Sequence, residues 1–191
     1  MAEQMVEEKR EKRTNFYYEI LLVEGVSAEY SNGVLKVSGP KGSVEKKVLS
    51  RTMSVKVENN SILLETQKST KRDKRMINTY RAHIRNMIRG AKEGHVYKVI
   101  VASTHFPMTV NIQNNVLTIK NFVGEKKPRT IIIPENVRAK VSGNIIEIES
   151  ASKEEAGNFA GSLEKLTRRP NFDNRIFQDG LYIIEKDGKK I

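Results

Sequence analysis

A chain of 191 residues with 34 Lys and Arg against 23 Asp and Glu carries a formal net charge of +11. A field of that sign attracts polyanions: nucleic acid, anionic membrane or acidic protein. The absence of cysteine excludes disulfide frameworks, thiolate metal sites and cysteine nucleophiles, and no apolar run approaches the roughly 20 residues that span a bilayer.

Residues 1–15, which begin MAEQMVEEKREKR, mix both charges without the apolar core of a secretion signal and are expected to form a mobile arm. A soluble, intracellular protein is expected. FYYEILLV, starting at Phe16, predicts a strand. VLKVS, SVEKKV, SVKV and SILLE then alternate apolar and polar residues around GPKG and Asn59-Asn60, the pattern of an antiparallel meander. Next, Ile77, Tyr80, Ile84, Met87, Ile88 and Ala91 recur at three- and four-residue spacing and predict one amphipathic helix, fading at Gly90 and Gly94. HVYKVIVA reads as a strand after it.

The second half repeats this order. NNVLTIKNFVGEKKPRTIII matches SNGVLKVSGPKGSVEKKVLS, and VRAKVSGNIIEIES matches TMSVKVENNSILLET with a one-residue gap. A second helix follows, buried through Ala156, Phe159, Ala160, Leu163 and Leu166, with Ser152 and Glu155 spaced as a capping box. The half closes with GLYIIE, a strand like HVYKVIV. The expected architecture is therefore α+β: two tandem copies of a small, mostly antiparallel sheet packed on one helix, over residues 16–96 and 97–191.

Three basic constellations offer chemistry. On the first helix Arg81, Arg85 and Arg89 stack at four-residue spacing beside Lys74 and Lys92, a repulsive arrangement that an opposing anion relieves. An anion-binding face and an ordinary solvated face fit this pattern equally well. The paired turns GPKGS and NFVGEKKPR combine glycine, which admits close backbone approach, with Lys41, Lys126, Lys127 and Arg129. Lysine-guarded hairpin turns are the plain alternative. After the second helix, in KLTRRPNFDNRIFQDG, Arg168, Arg169 and Arg175 are expected to contact RNA phosphates. Phe172 and Phe177 of the same segment are expected to cap the core.

Catalysis has little support. His83, His95 and His105 show no metal-ligand spacing, and GxSxG, GxxxxGK[ST] and GxGxxG are absent. His83 and His105 are expected in packing or turn roles. No enzyme activity, cofactor, metal or small-molecule substrate is expected.

EGVSAEYSNGVLKVSGPKGSVEKKV, NMIRGAKEGHVYKVIVASTHFPMTV, VLTIKNFVGEKKPRTIIIP and DNRIFQDGLYI resemble, in that order, the universal large-subunit ribosomal protein six family in its archaeal and eukaryotic branch. HFP, NFVGEK and QDGLYI are the specific pieces. The resemblance implies two tandem α+β domains and a structural, cytoplasmic constituent of the large ribosomal subunit. It implies binding to large-subunit rRNA near the sarcin–ricin loop and the base of the acidic stalk. Neighbouring ribosomal proteins of the stalk base are the implied partners, with translation factors docking nearby and no membrane. Carried onto this sequence, the RNA-contacting residues are Lys120, Lys126, Lys127, Arg129, Lys165, Arg168, Arg169 and Arg175, with Lys41, Arg81, Arg85 and Arg89 as secondary RNA or protein contacts. Phosphate neutralisation and shape matching to folded RNA would be the mechanism. A free-standing RNA chaperone would want an aromatic RNA-recognition run that the chain lacks, and a protein scaffold would want an exposed apolar patch beside Arg81–Arg89.

Overall fold

The computed structural model describes residues 15–48, 50, 52–58, 60–173 and 175–191. All of the expected arm except Asn15 lies outside them. The chain divides into two compact units, one ending at Glu93 and the other spanning Gly94–Ile191. Among the described residues the architecture is α+β with antiparallel strand pairing, two sheets and one helix to each unit.

In the first unit β1 (Tyr17–Leu21), β6 (Ser61–Thr66) and β5 (Met53–Glu58) form one sheet, ordered β1-β6-β5. A second sheet is the meander β2 (Ser27–Ser31), β3 (Val34–Gly39) and β4 (Gly42–Lys47). Alternation decides which faces are buried: Leu35, Val37, Val55, Ile62 and Leu64 point inward and meet Ile77, Ile84, Ile88 and Ala91 of helix α1 (Lys71–Lys92). Each such Leu or Ile contributes about 1.5–3 kcal/mol of apolar burial. The predicted helical stripe is buried as expected, with Tyr80 half-buried at its margin.

Thr70 caps α1, its hydroxyl oxygen accepting from the Asp73 N–H at 3.2 Å. The buried Asp73 carboxylate in turn accepts from the hydroxyls of Thr70 (2.5 Å) and Thr52 (2.8 Å), which hold its pKa below the usual range. The GPKG turn packs on the far end of the helix. Lys41 N–H donates to the Ala91 carbonyl at 3.0 Å, and a Cβ on Gly39 would stand 2.6 Å from that oxygen. Glycine is needed there to let turn and helix backbones touch.

The second unit has a five-stranded sheet, ordered β11-β12-β7-β13-β14, and a three-stranded sheet, ordered β10-β9-β8. Its strands are β7 (His95–Ala102), β8 (Thr109–Gln113), β9 (Val116–Lys120), β10 (Arg129–Ile132), β11 (Val137–Ser142), β12 (Ile145–Ser150), β13 (Gly180–Lys186) and β14 (Lys189–Lys190). Helix α2 (Lys153–Leu166) packs on the larger sheet, burying Ala156, Phe159, Ala160 and Leu163 against Val99, Ile146, Ile148 and Leu181.

One expectation is corrected here. HVYKVIVA is not a closing strand equivalent to GLYIIE: as β7 it pairs with β12 on one side and β13 on the other, so it opens the second unit. Its counterpart in the first unit is β1, which pairs with β6. β13 has no counterpart among the described residues of the first unit.

Hairpin chemistry matches the strand twist. Asn32-Gly33, Asn114-Asn115 and Asp187-Gly188 place both turn residues at positive φ, as the preferred two-residue hairpin requires. At the α2 N-terminus only half of the capping box forms. Ser152 accepts from the Glu155 N–H at 3.3 Å, but the Ser152 N–H already donates to the Ser150 hydroxyl oxygen at 3.1 Å. The Glu155 carboxylate is thus left with Oε2 buried and without a hydrogen-bond partner among the described residues. His95 is fully buried with Nδ1 2.8 Å from Asp187, whose carboxylate also pairs with Lys153 at 3.0 Å. Among the described residues no helix is long and apolar enough to cross a membrane.

Candidate nucleic-acid interface

The second basic turn leaves β9 through a cramped backbone. Asn121, Val123 and Gly124 all have positive φ, at 58°, 48° and 78°, around the short 3-10 turn Phe122–Gly124. Positive φ is strained for a β-branched residue such as Val123. Two contacts hold the turn: the Asn121 amide donates to the Pro107 carbonyl at 3.0 Å, and Phe122 is buried in the core.

Arg129 completes the support. Its guanidinium lies 4.4 Å from the Phe122 ring centroid, donates to both Glu125 carboxylate oxygens at 2.8 and 2.6 Å, and reaches the Leu166 carbonyl with Nη1. The hydrogen bonds from Arg129 outweigh burial and hold the Glu125 carboxyl below the usual range, helped by the charges of Arg129 and Arg169. The turn is thereby tied to the last residue of α2, where the third basic constellation begins.

That segment builds a cleft of about 460 Å³ whose lining includes Val123 of the turn, Glu164, Lys165, Arg168, Arg169 and Phe172 of the helix end and loop, and Tyr182 of β13. Arg169 stacks on Phe172 at 3.9 Å, Phe172 stands edge-on to Phe177 at 5.0 Å, and Phe177 stacks on His105 at 5.2 Å. The two phenylalanines therefore do not cap the core as expected. They form an aromatic wall outside it, because the chain from Pro170 onward runs over the cleft before it reaches β13.

The base of the wall is Asp179. Its buried carboxylate accepts from the N–H groups of Thr104 (2.6 Å) and His105 (3.0 Å), the Thr104 hydroxyl (3.0 Å) and the His105 ring (2.5 Å). Burial pushes its pKa up, but these hydrogen bonds from His105 and Thr104 outweigh it and bring the carboxyl down to about 2. Beyond Gly180 the free edge of β13 is covered by α2: Leu181 N–H donates to the Thr167 hydroxyl oxygen at 3.0 Å and Ile183 N–H to Glu164 at 3.4 Å.

The eight predicted cations fall into three groups. Lys120, Lys126, Lys127, Lys165 and Arg168 are exposed and have no side-chain partner among the described residues. Arg169 is half-buried against Phe172. Arg129 and Arg175 are engaged with carboxylates, Arg175 with Asp173 at 2.8 Å in the solvent-exposed loop. The Arg129–Leu166 contact brings the turn and the post-helix segment to one side of the second unit.

The secondary cations sit in the first unit. Arg81 lies 4.6 Å over the ring of Tyr18, and Arg89 pairs with Glu93 at 3.5 Å. Arg85 is half-buried and Lys41 exposed. His83 is edge-on to Tyr80 at 6.4 Å. Sequence reasoning missed Asp179, Glu125 and Tyr182. The opposite charges four residues apart at Glu125 and Arg129 were a readable signal. Asp179 offered none, since its partners lie some 75 residues away.

Residues 23–94 match the family model described as Ribosomal protein L6. Similarity to curated proteins extends over both units. The chain is 43% identical over 182 residues to the large ribosomal subunit protein uL6 of Nanoarchaeum equitans, covering 91% of this chain and 95% of that protein. It is 39% identical to the uL6 protein of Methanosarcina mazei over 167 residues (87% of this chain, 95% of that one) and 37% identical to that of Methanococcus vannielii over 171 residues (90% and 94%). Identity at this level over most of the chain means that the chain belongs to the ribosomal protein L6 (uL6) family.

Proposed function

We propose that the second unit binds large-subunit rRNA through the cations around its cleft, near the sarcin–ricin loop and the base of the acidic stalk, and so supports the region where translation factors dock. Family membership makes the chain a structural, non-enzymatic constituent of the large ribosomal subunit, and hence a cytoplasmic protein with rRNA and ribosomal proteins as partners. Ribosomal proteins of the stalk base would be its neighbours.

The observation that carries the reading is that Lys126 and Lys127 on the turn after β9, and Lys165 and Arg168 at the end of α2 and just beyond it, are exposed and unpaired among the described residues while Arg129 ties the turn to the helix end. Phosphates supply the partners these cations lack, and RNA recognised by shape needs a fixed spacing between them. Lys120, Arg169 and Arg175 extend the same surface, and Arg129 acts by holding the turn in place. Lys41, Arg81, Arg85 and Arg89 would make secondary contacts, with Arg81 already sharing its charge with Tyr18.

Sedimentation of the tagged chain from a cell lysate tests this. Co-migration with the large subunit that survives moderate salt supports it, and a peak at the top of the gradient in low and high salt alike refutes it. With six to eight phosphate contacts, affinity for an rRNA fragment should fall roughly tenfold or more for each doubling of salt.

A further inference from the structure

We infer that the cleft between the end of α2 and β13 seats one unpaired, amino-bearing nucleobase of the RNA held at its rim, an inference that rests on the RNA-binding reading above. At about 460 Å³ the cleft falls in the size range of small-ligand pockets, roughly 300–1,000 Å³, and is far larger than a structural water needs.

Its walls suit a base. Phe172 and Tyr182 are large aromatic rings left 39% and 38% exposed, and both line the cleft. Aromatic and guanidinium planes are the surfaces on which unstacked bases lie. The ring of Phe172 is held in position before any ligand arrives, between Arg169 at 3.9 Å and the edge of Phe177 at 5.0 Å. Phe177 leans on His105, and His105 is held by Asp179. Such preorganisation lowers the ordering cost of binding.

The charges of the lining divide the ligand. Lys165 and Arg168 are exposed and unpaired among the described residues, ready for the phosphates on either side of an extruded nucleotide. The lining also includes the carboxylates of Glu164 and Asp179, which repel a phosphate from the interior. Glu164 uses Oε1 on the Ile183 N–H and leaves Oε2 without a partner among the described residues, a hydrogen-bond acceptor for an exocyclic amino group. Adenine, cytosine and guanine carry that group and uracil does not. Gly180 has its own part: a Cβ there would stand 3.3 Å from the Tyr182 ring, so glycine lets that ring lie close over the strand.

The test uses the full chain and two RNA hairpins with the same stem, one fully paired and one bearing a single bulged 2-aminopurine. The bulged hairpin should bind roughly ten- to a hundredfold tighter, with the 2-aminopurine fluorescence quenched on binding. Phe172→Ala should bring the two affinities together and remove the quench, and Phe172→Trp should restore both. Lys165→Gln with Arg168→Gln should weaken the bulged hairpin more than the paired one while the bound 2-aminopurine stays quenched. Should Phe172→Ala fail to fold, Glu164→Gln tests the same cleft: it should shrink the preference for bulged 2-aminopurine over bulged uridine. Equal binding of the two hairpins by the wild-type chain, without quenching, overturns the nucleobase pocket and leaves RNA binding standing. Unchanged selectivity in both Phe172→Ala and Glu164→Gln also overturns it. Failure to bind either hairpin overturns both readings.

Discussion

Arg129 and Leu166 are 37 residues apart in sequence, yet the guanidinium of one donates a hydrogen bond to the carbonyl of the other. With Glu125 and Phe122 in the same cluster, this contact ties the turn after β9 to the end of α2.

Replacing Arg129 should therefore act through the fold. Arg129→Met leaves the Glu125 carboxylate and the Leu166 carbonyl without their donor, and should cost about 1–3 kcal/mol in urea denaturation. Arg129→Lys should recover little of this, since an ammonium cannot fork onto a carboxylate while reaching a third acceptor. A full-stability Arg129→Met variant with weakened RNA binding would instead make Arg129 a direct phosphate contact.

Lys126 and Lys127 should show the opposite behaviour. Both are exposed and unpaired among the described residues, so Lys126→Gln with Lys127→Gln should leave urea stability unchanged. The slope of log affinity for an rRNA fragment against log salt should shrink by about 1–2, as expected for two lost phosphate contacts. Arg85→Gln with Arg89→Gln should reduce the slope less. The reverse ranking would move the main RNA surface to the first unit.

Asp179 sets an acid limit. Its folded pKa, about 2, lies below the ordinary 3.8, so the folded state binds its proton more weakly than the unfolded chain does. The resulting stability, about 2 kcal/mol, is fully present above pH 4 and is lost as the pH falls from about 4 to about 2. Asp179→Asn should remove that part of the acid dependence and lower stability at neutral pH. Parallel stability profiles for variant and wild type between pH 2 and 5 would contradict this assignment.

Gly39 should not accept a side chain. The Cβ of Gly39→Ala would stand 2.6 Å from the Ala91 carbonyl oxygen and 2.9 Å from its carbon, both backbone atoms. Turn and helix must separate, straining the Lys41–Ala91 hydrogen bond, and a loss of about 1–3 kcal/mol is expected by thermal melting. Gly161→Ala, where nothing lies within 4 Å, is the control and should be neutral or mildly stabilising because alanine favours the helix.

The two ends of the half-formed capping box should separate cleanly. Ser152→Ala should cost about 1 kcal/mol, because its hydroxyl oxygen satisfies the Glu155 N–H. Glu155→Gln should cost little, since the carboxylate makes no return bond to Ser152 and Oε2 is buried without a hydrogen-bond partner among the described residues. An equal loss for both variants would mean that the box closes in solution.

The local pattern along the chain was enough to determine most of the strands, though not β2, β8 or β14, together with the buried stripe from Ile77 to Ala91, the repeat and the residues of the basic turns. Period-two and three-to-four-residue spacings are local, and each dictates which face of its own element meets a core. The family pieces HFP, NFVGEK and QDGLYI were likewise legible as written. Pairing across distance was not. That β7 opens the second sheet between β12 and β13 depends on hydrogen bonds to strands some 45 and 80 residues later, and no local period encodes a partner. The same holds for the functional surface. Arg129 and Lys127 are equivalent cations in a sequence, and only the tertiary structure, by placing Glu125, Phe122 and Leu166 around one of them, makes Arg129 a support and leaves Lys127 without a side-chain partner among the described residues. Phe172 and Phe177 differ from core phenylalanines for a related reason. The chain after α2 passes over a cleft before entering β13, so their rings wall that cleft instead of filling the interior.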